Sequence, residues 1–442
     1  MIKKNTMMNP AMTTKQRQHI IRNTSALLFG LIGIAATFLL HTLIARHYGA
    51  AAYGDFSVVL AMSLVIASLL MLGVNYSVGK FLPDYISDQN TPFAQGFVTL
   101  SIRTISLTAS CVFIAGCTIA IVTLMMKHIH NPKVNELHLY FYCIWLGSIE
   151  AVFYYLVRFT RALHQYFIAS LHLAFIRFTL TIIFLYILLK FLPEFESIFY
   201  AVIAYTLAVL LSSASLFVFV YTRRKSYTSK KIRFDIHTWR TTSFQMLASN
   251  LFAILHNALV LVYVEIVLDN EQITGFFAAA LFISGVYWAL LSSVQANTVP
   301  LLNDKRLSSH QQTYYNLNVV FSFSFAATLS LLIFFFSHSI LSWFGPDFLS
   351  ISDWLYILAA SKLISAPLFN AYSFLDYKGF QKQQLILTST SLVILIVLMP
   401  ILIKTIGDIG AILSLAIMEV FLSVMSAIML RIRLGIKPLI LI

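Results

Sequence analysis

Five charged side chains stand inside runs that are otherwise almost wholly apolar: Arg103, Glu150, Arg177, Lys362 and Glu419. Their possible chemistry is narrow. Such groups can pair with one another, bind a ligand of opposite charge, or pass a proton. Lipid penalises a charge at mid-depth by at least ~2.5–3.5 kcal/mol, so each must face protein or water. Nothing beside them builds a reaction centre: there is no P-loop, nucleophile elbow, metal-ligand spacing or Gly-rich phosphate cradle. Cys111, Cys117 and Cys143 have no metal or redox spacing and read as packing residues. Transport is the chemistry that remains.

Depth and helical face rank the five. Arg177 lies twelve residues past Gln165, roughly 18 Å into a core of roughly 30 Å. Lys362 and Glu419 each lie about 15 Å from the far side of the membrane. Arg103 is only about 9 Å in, shallow enough to snorkel to the headgroups. Ser170, Ala174, Arg177 and Thr181 share one helical stripe, and Ala359, Lys362, Ala366, Asn370 and Ser373 form another. Gly30, Gly33, Thr37 and His41 make a third, and Asn250, Ala253 and Asn257 a fourth. For these last two, close helix packing through small residues competes with cavity lining. Glu150 is placed to pair with Arg177, and Glu419 with Lys362. Internal ion pairing is therefore the rival to a water-filled anion site.

The elements that must hold these residues follow from composition. Of 442 residues 59% are hydrophobic and 11% charged, against about half and a quarter in soluble domains. The solvent for that surface is lipid. Long continuous apolar runs exclude a barrel of alternating strands. The runs predict an all-α polytopic membrane protein with twelve transmembrane helices. They lie near 24–45, 56–79, 97–126, 138–157, 166–189, 198–221, 243–267, 274–300, 313–337, 352–376, 383–403 and 409–430. The first run is long for a secretory signal peptide and no convincing cleavage site follows it, so it is expected to stay.

Charge orients the bundle. With an even helix count, 22 of the 30 Lys and Arg fall on the side of both termini and five on the other. The bias predicts cytoplasmic termini. It also accounts for the net charge of +13 through anionic membrane lipids, with no nucleic acid.

The chain divides at its middle. A tail (1–23) precedes a first lobe (24–222), a basic cytoplasmic linker (223–242), a second lobe (243–431) and a second tail (432–442). Placing "YGAAAYGDFSVVL" on "NEQITGFFAAAL" sets Gly54 on Gly275, Phe56 on Phe277 and Leu60 on Leu281. Six helices per half make these parallel repeats, so two pseudo-symmetric six-helix lobes are expected.

The same residues carry a family resemblance. "ARHYGAAAYGDFSVVLAMS" and "LGVNYSVGKFLPD" resemble the opening of bacterial polysaccharide and O-antigen flippases, of the multidrug/oligosaccharidyl-lipid/polysaccharide (MOP) exporter superfamily. Arg46, Gly49, Tyr53-Gly54, Lys80 and Pro83 stand at the family's positions. "ITGFFAAA", "RALHQYF" and "LSWFGPDFL" are similar too. Lys80 replaces the commoner arginine, and Ala50-Ala51 the usual Pro-Glu. The resemblance extends over the whole chain in helix count and loop length.

It implies a MATE-like fold and an inner-membrane flippase, not an enzyme. The substrate would be a polyprenyl-pyrophosphate-linked oligosaccharide for surface polysaccharide, O-antigen or capsule assembly. No cofactor is implied, and other glycan-assembly membrane proteins are the expected neighbours. On that reading Arg177 and Lys362 meet pyrophosphate or acidic sugar, with Arg103 and Asn370 as further substrate contacts. His41, Asn250 and Asn257 meet hydroxyls, and Glu150 or Glu419 couples to protons or sodium. The rival from the same superfamily is a cation-coupled multidrug exporter, although cationic drugs favour acidic cavities.

The charge bias makes a direct prediction. Single cysteines at Ser226 and Ala51, in a chain whose own cysteines are replaced by serine, should label oppositely with an impermeant thiol reagent on intact cells. Ala51 should react and Ser226 should not; the reverse pattern would overturn the orientation.

Overall fold

In lipid a backbone satisfies its own hydrogen bonds most simply as a helix, and helices are what these runs form. The computed structural model describes residues 14–127, 137–191, 198–229, 231–268, 270–303, 311–378 and 380–438, and no strand occurs among them. The first lobe contains α1 (Thr14–Leu70), α2 (Val74–Ser87), α3 (Thr91–Lys127), α4 (Leu137–Ala162), α5 (Tyr166–Phe191) and α6 (Phe199–Thr222). The second contains α7 (Ile236–Leu268), α8 (Glu271–Asn303), α9 (Gln311–Phe344), α10 (Ser352–Tyr377), α11 (Gln381–Ile406) and α12 (Ile409–Leu434).

Eight described helices are long and apolar enough to cross a membrane. One of them covers two expected spans, because α1 is broken at Gly49 (φ 84°, ψ 175°). The helices α4, α7 and α8 complete the twelve-span, two-lobe bundle, with 26, 33 and 33 residues.

Three local departures from the expected helices have physical causes. The second span does not run unbroken over 56–79. Leu72 and Gly73 take positive φ (47° and 77°), so the helix restarts as α2. A Cβ on Gly73 would lie 1.9 Å from the Ser243 carbonyl oxygen, so only glycine fits beneath α7. Inside α5, His172–Ile176 forms a π-turn. His172 pins it by Nδ1 to the Ile168 carbonyl (2.9 Å) and Nε2 to Ser215 Oγ (3.0 Å). Such bulges shift the register of every residue after them.

The third departure is at the basic segment. Helix α7 starts at Ile236 rather than 243, and Trp239 is buried among Phe93, Phe97 and Phe234, donating to Tyr85 Oη at 2.9 Å. The basic end of the bundle is thus tied to the first lobe.

The lobes meet chiefly along α1, which packs on α7, α8 and α9. Their closest approach is reciprocal. A Cβ on Gly275 would lie 1.8 Å from the Ala50 oxygen, and one on Gly54 would lie 2.9 Å from the Glu271 oxygen. Residues 50 and 271 are separated by the same 221 positions as 54 and 275. Residue i touching j while j's counterpart touches i's is the mark of a two-fold axis. The glycines paired by sequence therefore sit on the pseudo-two-fold axis itself, with Phe56 and Phe277 both fully buried beside it.

This contact predicts a selective intolerance. Gly275→Ala should destabilise the detergent-purified chain by about 1–3 kcal/mol, because backbone cannot yield as a side chain would. Gly285→Ala, on the same helix with open space at its Cβ position, should be neutral or stabilising. Equal unfolding temperatures for the two variants would refute the close packing.

Candidate functional site

Between the lobes lies a cavity of about 770 Å³. Five of the residues singled out in the sequence line it together: His41, Glu150, Arg177, Lys362 and Glu419. They arrive from α1, α4, α5, α10 and α12, so the cavity is built from both lobes.

The first-lobe charges are caged rather than simply paired. Glu150 is 2% exposed and accepts hydrogen bonds from Ser63 Oγ and Tyr205 Oη, both at 2.8 Å. Arg177 Nη1 stands 3.9 Å from Glu150 Oε1, beyond hydrogen-bond distance, and donates instead to Tyr154 Oη at 3.0 Å. Aromatic rings supply the rest of the cage. The guanidinium carbon lies 4.4 Å from the Phe178 ring centre and 5.4–5.7 Å from those of Phe153, Tyr205 and Tyr154. Cation–π attraction is strongest for such desolvated cations, at about 2 kcal/mol. Even so, Arg177 Nε has no hydrogen-bond partner although the residue is only 6% exposed. A buried, unsatisfied donor on a charged group is expensive, and an incoming acceptor removes that penalty.

The second lobe solves the same problem differently. Lys362 Nζ bonds Glu419 Oε1 directly, and Ser361 Oγ donates to Glu419 Oε2 at 3.4 Å. Both members remain partly exposed in the cavity. The pairs are also placed differently: the fourth helix of the first lobe carries the acid Glu150 and its counterpart carries the base Lys362, while their partners stand on the fifth helix of the first lobe and the sixth of the second.

His41 closes the end of the cavity near Gly54 and Gly275. Its ring stacks on Phe282 of the other lobe at 4.2 Å, and its Nδ1 shares a hydrogen bond with Tyr53 Oη at 2.9 Å. Beyond it Phe38, Tyr53, Phe344 and Phe348 pack together with ring centres 5.6–6.1 Å apart, edge to face except for the tilted Phe344–Phe348 pair. The "LSWFGPDFL" segment supplies two of these rings, turning through Gly345 at φ 140°. The other end is different. The lining there runs out through Tyr76, Arg158 and Tyr372 toward the basic end.

Four expected site residues fall elsewhere or lie outside what is described. Arg103 is exposed on α3 and does not line the cavity, as its shallow depth allows. Asn370 is also off the cavity: it is buried between helices, where Nδ2 donates to Ser322 Oγ at 2.9 Å. The side chains of Asn250 and Asn257 are outside the described residues. The small-residue stripe of the first helix divides. Gly33 meets Ala174 closely enough that a Cβ would lie 2.4 Å from its methyl, which is helix packing, while His41 faces the cavity.

Sequence reasoning missed several lining residues, among them Tyr76, Tyr154, Arg158, Tyr205 and Trp288. Arg158 counted among the loop bases, although its spacing of four from Tyr154 and eight from Glu150 already placed all three on one helix face. Trp288 lines the cavity with 60% of its surface exposed. Its position in an apolar run gave no sign of which side it faced.

Comparison with known proteins bears on the fold. No protein-family profile matches the chain, and no curated protein sequence matches it. Solved structures do match. An inward-facing multidrug resistance MATE family transporter of the MOP superfamily superposes with a TM-score of 0.70 at 14% identity, over 93% of this chain and 98% of that one. An outward-facing form gives 0.68 at 14%, over 94% and 95%. A MOP superfamily transporter from Pyrococcus furiosus, described as having a binding pocket of reverse polarity that suggests a different function, gives 0.69 at 13%, over 93% and 95%. These neighbours are transporters, not enzymes, and the chain has their all-helical MATE fold.

Proposed function

We propose that the chain is a flippase that carries a polyprenyl-pyrophosphate-linked oligosaccharide across the bacterial inner membrane by alternating access, for surface polysaccharide assembly. The observation that carries this reading is the buried guanidinium of Arg177, which borders the cavity with an unpartnered Nε. A planar, permanently charged fork fits a phosphate or carboxylate better than any neutral ligand. Lys362 places a second cation on the opposite lobe. The cavity volume sits in the upper part of the range of about 300–1,000 Å³ for small-molecule sites. That gives room for a pyrophosphate and the first sugars while the lipid tail stays outside.

The energetics suit the direction. With both termini cytoplasmic, as the basic bias favours, an inside-negative potential assists outward movement of an anion by about 2.3 kcal/mol per charge per 100 mV. The barrier is then desolvation of the headgroup, which cationic and hydroxyl groups in a wet cavity lower.

A cation-coupled multidrug exporter is the second reading, favoured by the multidrug transporters among the structural neighbours. It would use the carboxylates of Glu150 and Glu419. Against it, Glu150 already accepts from two hydroxyls beside Arg177, and Glu419 is bonded to Lys362.

The two readings separate in proteoliposomes. The purified chain should move a fluorescent polyprenyl-pyrophosphate disaccharide between leaflets and should not extrude a cationic dye. Dye export without lipid movement would establish the exporter instead. Arg177→Ala should abolish lipid movement, and Arg177→Lys should recover only part of it, because an ammonium cannot copy the fork. If the guanidinium serves only to neutralise Glu150, Arg177→Ala should instead lose about 3–5 kcal/mol of stability, restored by adding Glu150→Gln, with transport regained in the double variant.

A further inference from the structure

The cavity-facing stripe of α4 does not end at Glu150 and Tyr154. Arg158 continues it one turn nearer the basic end, so acid, phenol and guanidinium stand at i, i+4 and i+8, and all three line the cavity. Each step is roughly 6 Å along the helix. Arg158 differs from Arg177 in being exposed, and it has no ion-pair partner among the described residues. Its guanidinium carbon lies 5.3 Å from the ring centre of Tyr76, which the α2 restart after Gly73 presents to the cavity.

A stack of this kind holds a planar cation in place by one face and leaves its N–H edge free to donate. Between the two arginines stands Tyr154. Its hydroxyl oxygen accepts from Arg177 Nη1 while its own O–H proton can donate. Loop-facing arginines usually spend their charge on solvent and headgroups; this one is directed into the cavity's open end.

We infer that Arg158, braced on Tyr76, is a second phosphate-binding station at the mouth of the cavity, which captures the anionic group and passes it by way of Tyr154 to Arg177. The inference rests on the reading of the cavity as an anion site and adds where the anion first binds. The ligand chemistry is a phosphate or pyrophosphate ester. Its exposed position makes capture at Arg158 sensitive to salt, whereas binding at the buried Arg177 is screened far less.

Titrate the full-length chain in lipid nanodiscs with geranyl pyrophosphate, and separately with inorganic pyrophosphate, at low and at high salt. Arg158→Gln should weaken binding about fivefold at low salt, the size expected of one partly exposed charged contact. Its affinity should converge on that of the wild type at high salt, and Arg158→Lys should keep only part of the low-salt affinity, because an ammonium keeps the charge but not the stacked fork. Loss with both probes assigns the station to the phosphate group itself; loss with geranyl pyrophosphate alone assigns it to the lipid-linked form, and either supports the inference. Identical affinity and salt dependence in the wild type and Arg158→Gln overturns it while leaving the anion site standing. No binding of either probe by the wild type overturns the anion reading as a whole. Each variant is compared at equal monodispersity and unfolding temperature, so that a folding defect is not mistaken for lost capture.

Discussion

A guanidinium cannot be left bare in hydrocarbon, and the first lobe is arranged around that constraint. Four rings surround Arg177, one of them also offering its phenol oxygen, while the nearest carboxylate is held by two other hydroxyls. Had Glu150 closed on Arg177 as a bidentate pair, the cation would be neutralised and of little use to a ligand. The hydroxyls of Ser63 and Tyr205 keep the carboxylate satisfied at a distance. The π-turn in α5 serves the same end, since it sets the angular position of Arg177, the first residue beyond it. In the second lobe a direct Lys362–Glu419 bond in a wetter setting does the job more cheaply, as expected where water shares the solvation.

The second constraint is closeness at the two-fold axis. Backbone touches backbone at Gly54 and Gly275, and around this point the His41, Tyr53, Phe344 and Phe348 rings pack the end of the cavity shut. Aromatic faces separate and re-form without stranding polar groups, apart from the His41–Tyr53 hydrogen bond. On the flippase reading, that suits them to a seal that opens. The basic end is held otherwise: Trp239 and the Ser77–Ser243 hydrogen bond of 2.7 Å fasten the start of α7 to the first lobe, while the far part of α7 packs against α11 through Tyr263 Oη and the Ile396 carbonyl. Helix α7 therefore belongs mechanically to both lobes, and any relative rocking must be absorbed along its length.

How much of this could be read from the sequence depended on contrast. Arg177, Lys362, Glu150 and Glu419 were visible because charge stands out against an apolar run, and the penalty for burying it forces a partner. Gly54 and Gly275 were visible because the repeat put them in register. Arg158 was hidden by the opposite circumstance: near a helix end a base is unremarkable, and only its spacing from Tyr154 hinted at the cavity. Asn370 shared a stripe with Lys362, but the stripe spans two environments, and the neighbour at its far end is Ser322 rather than the cavity. The π-turn and the break at Leu72–Gly73 depend on contacts with Ser215 and Ser243, far away in the chain, which no local pattern encodes.

Both ion pairs are internal to a lobe: Glu150 with Arg177 in the first, Lys362 with Glu419 in the second. Rigid-body rocking of one lobe against the other leaves each pair intact, so neither pair by itself favours one orientation. A ligand acts differently. An anion held by Arg177 and Lys362 at once would join the lobes through charges that otherwise have no contact across the cavity. By linkage, it shifts the equilibrium only as far as it binds one orientation better than the other. The asymmetry of the two pairs then matters, because Lys362 must be drawn from a bonded carboxylate, whereas Arg177 offers a donor that is already free. On the flippase reading the first lobe recognises the anion and the second responds to it, which places the energetic coupling at the Lys362–Glu419 bond rather than at the better-buried pair.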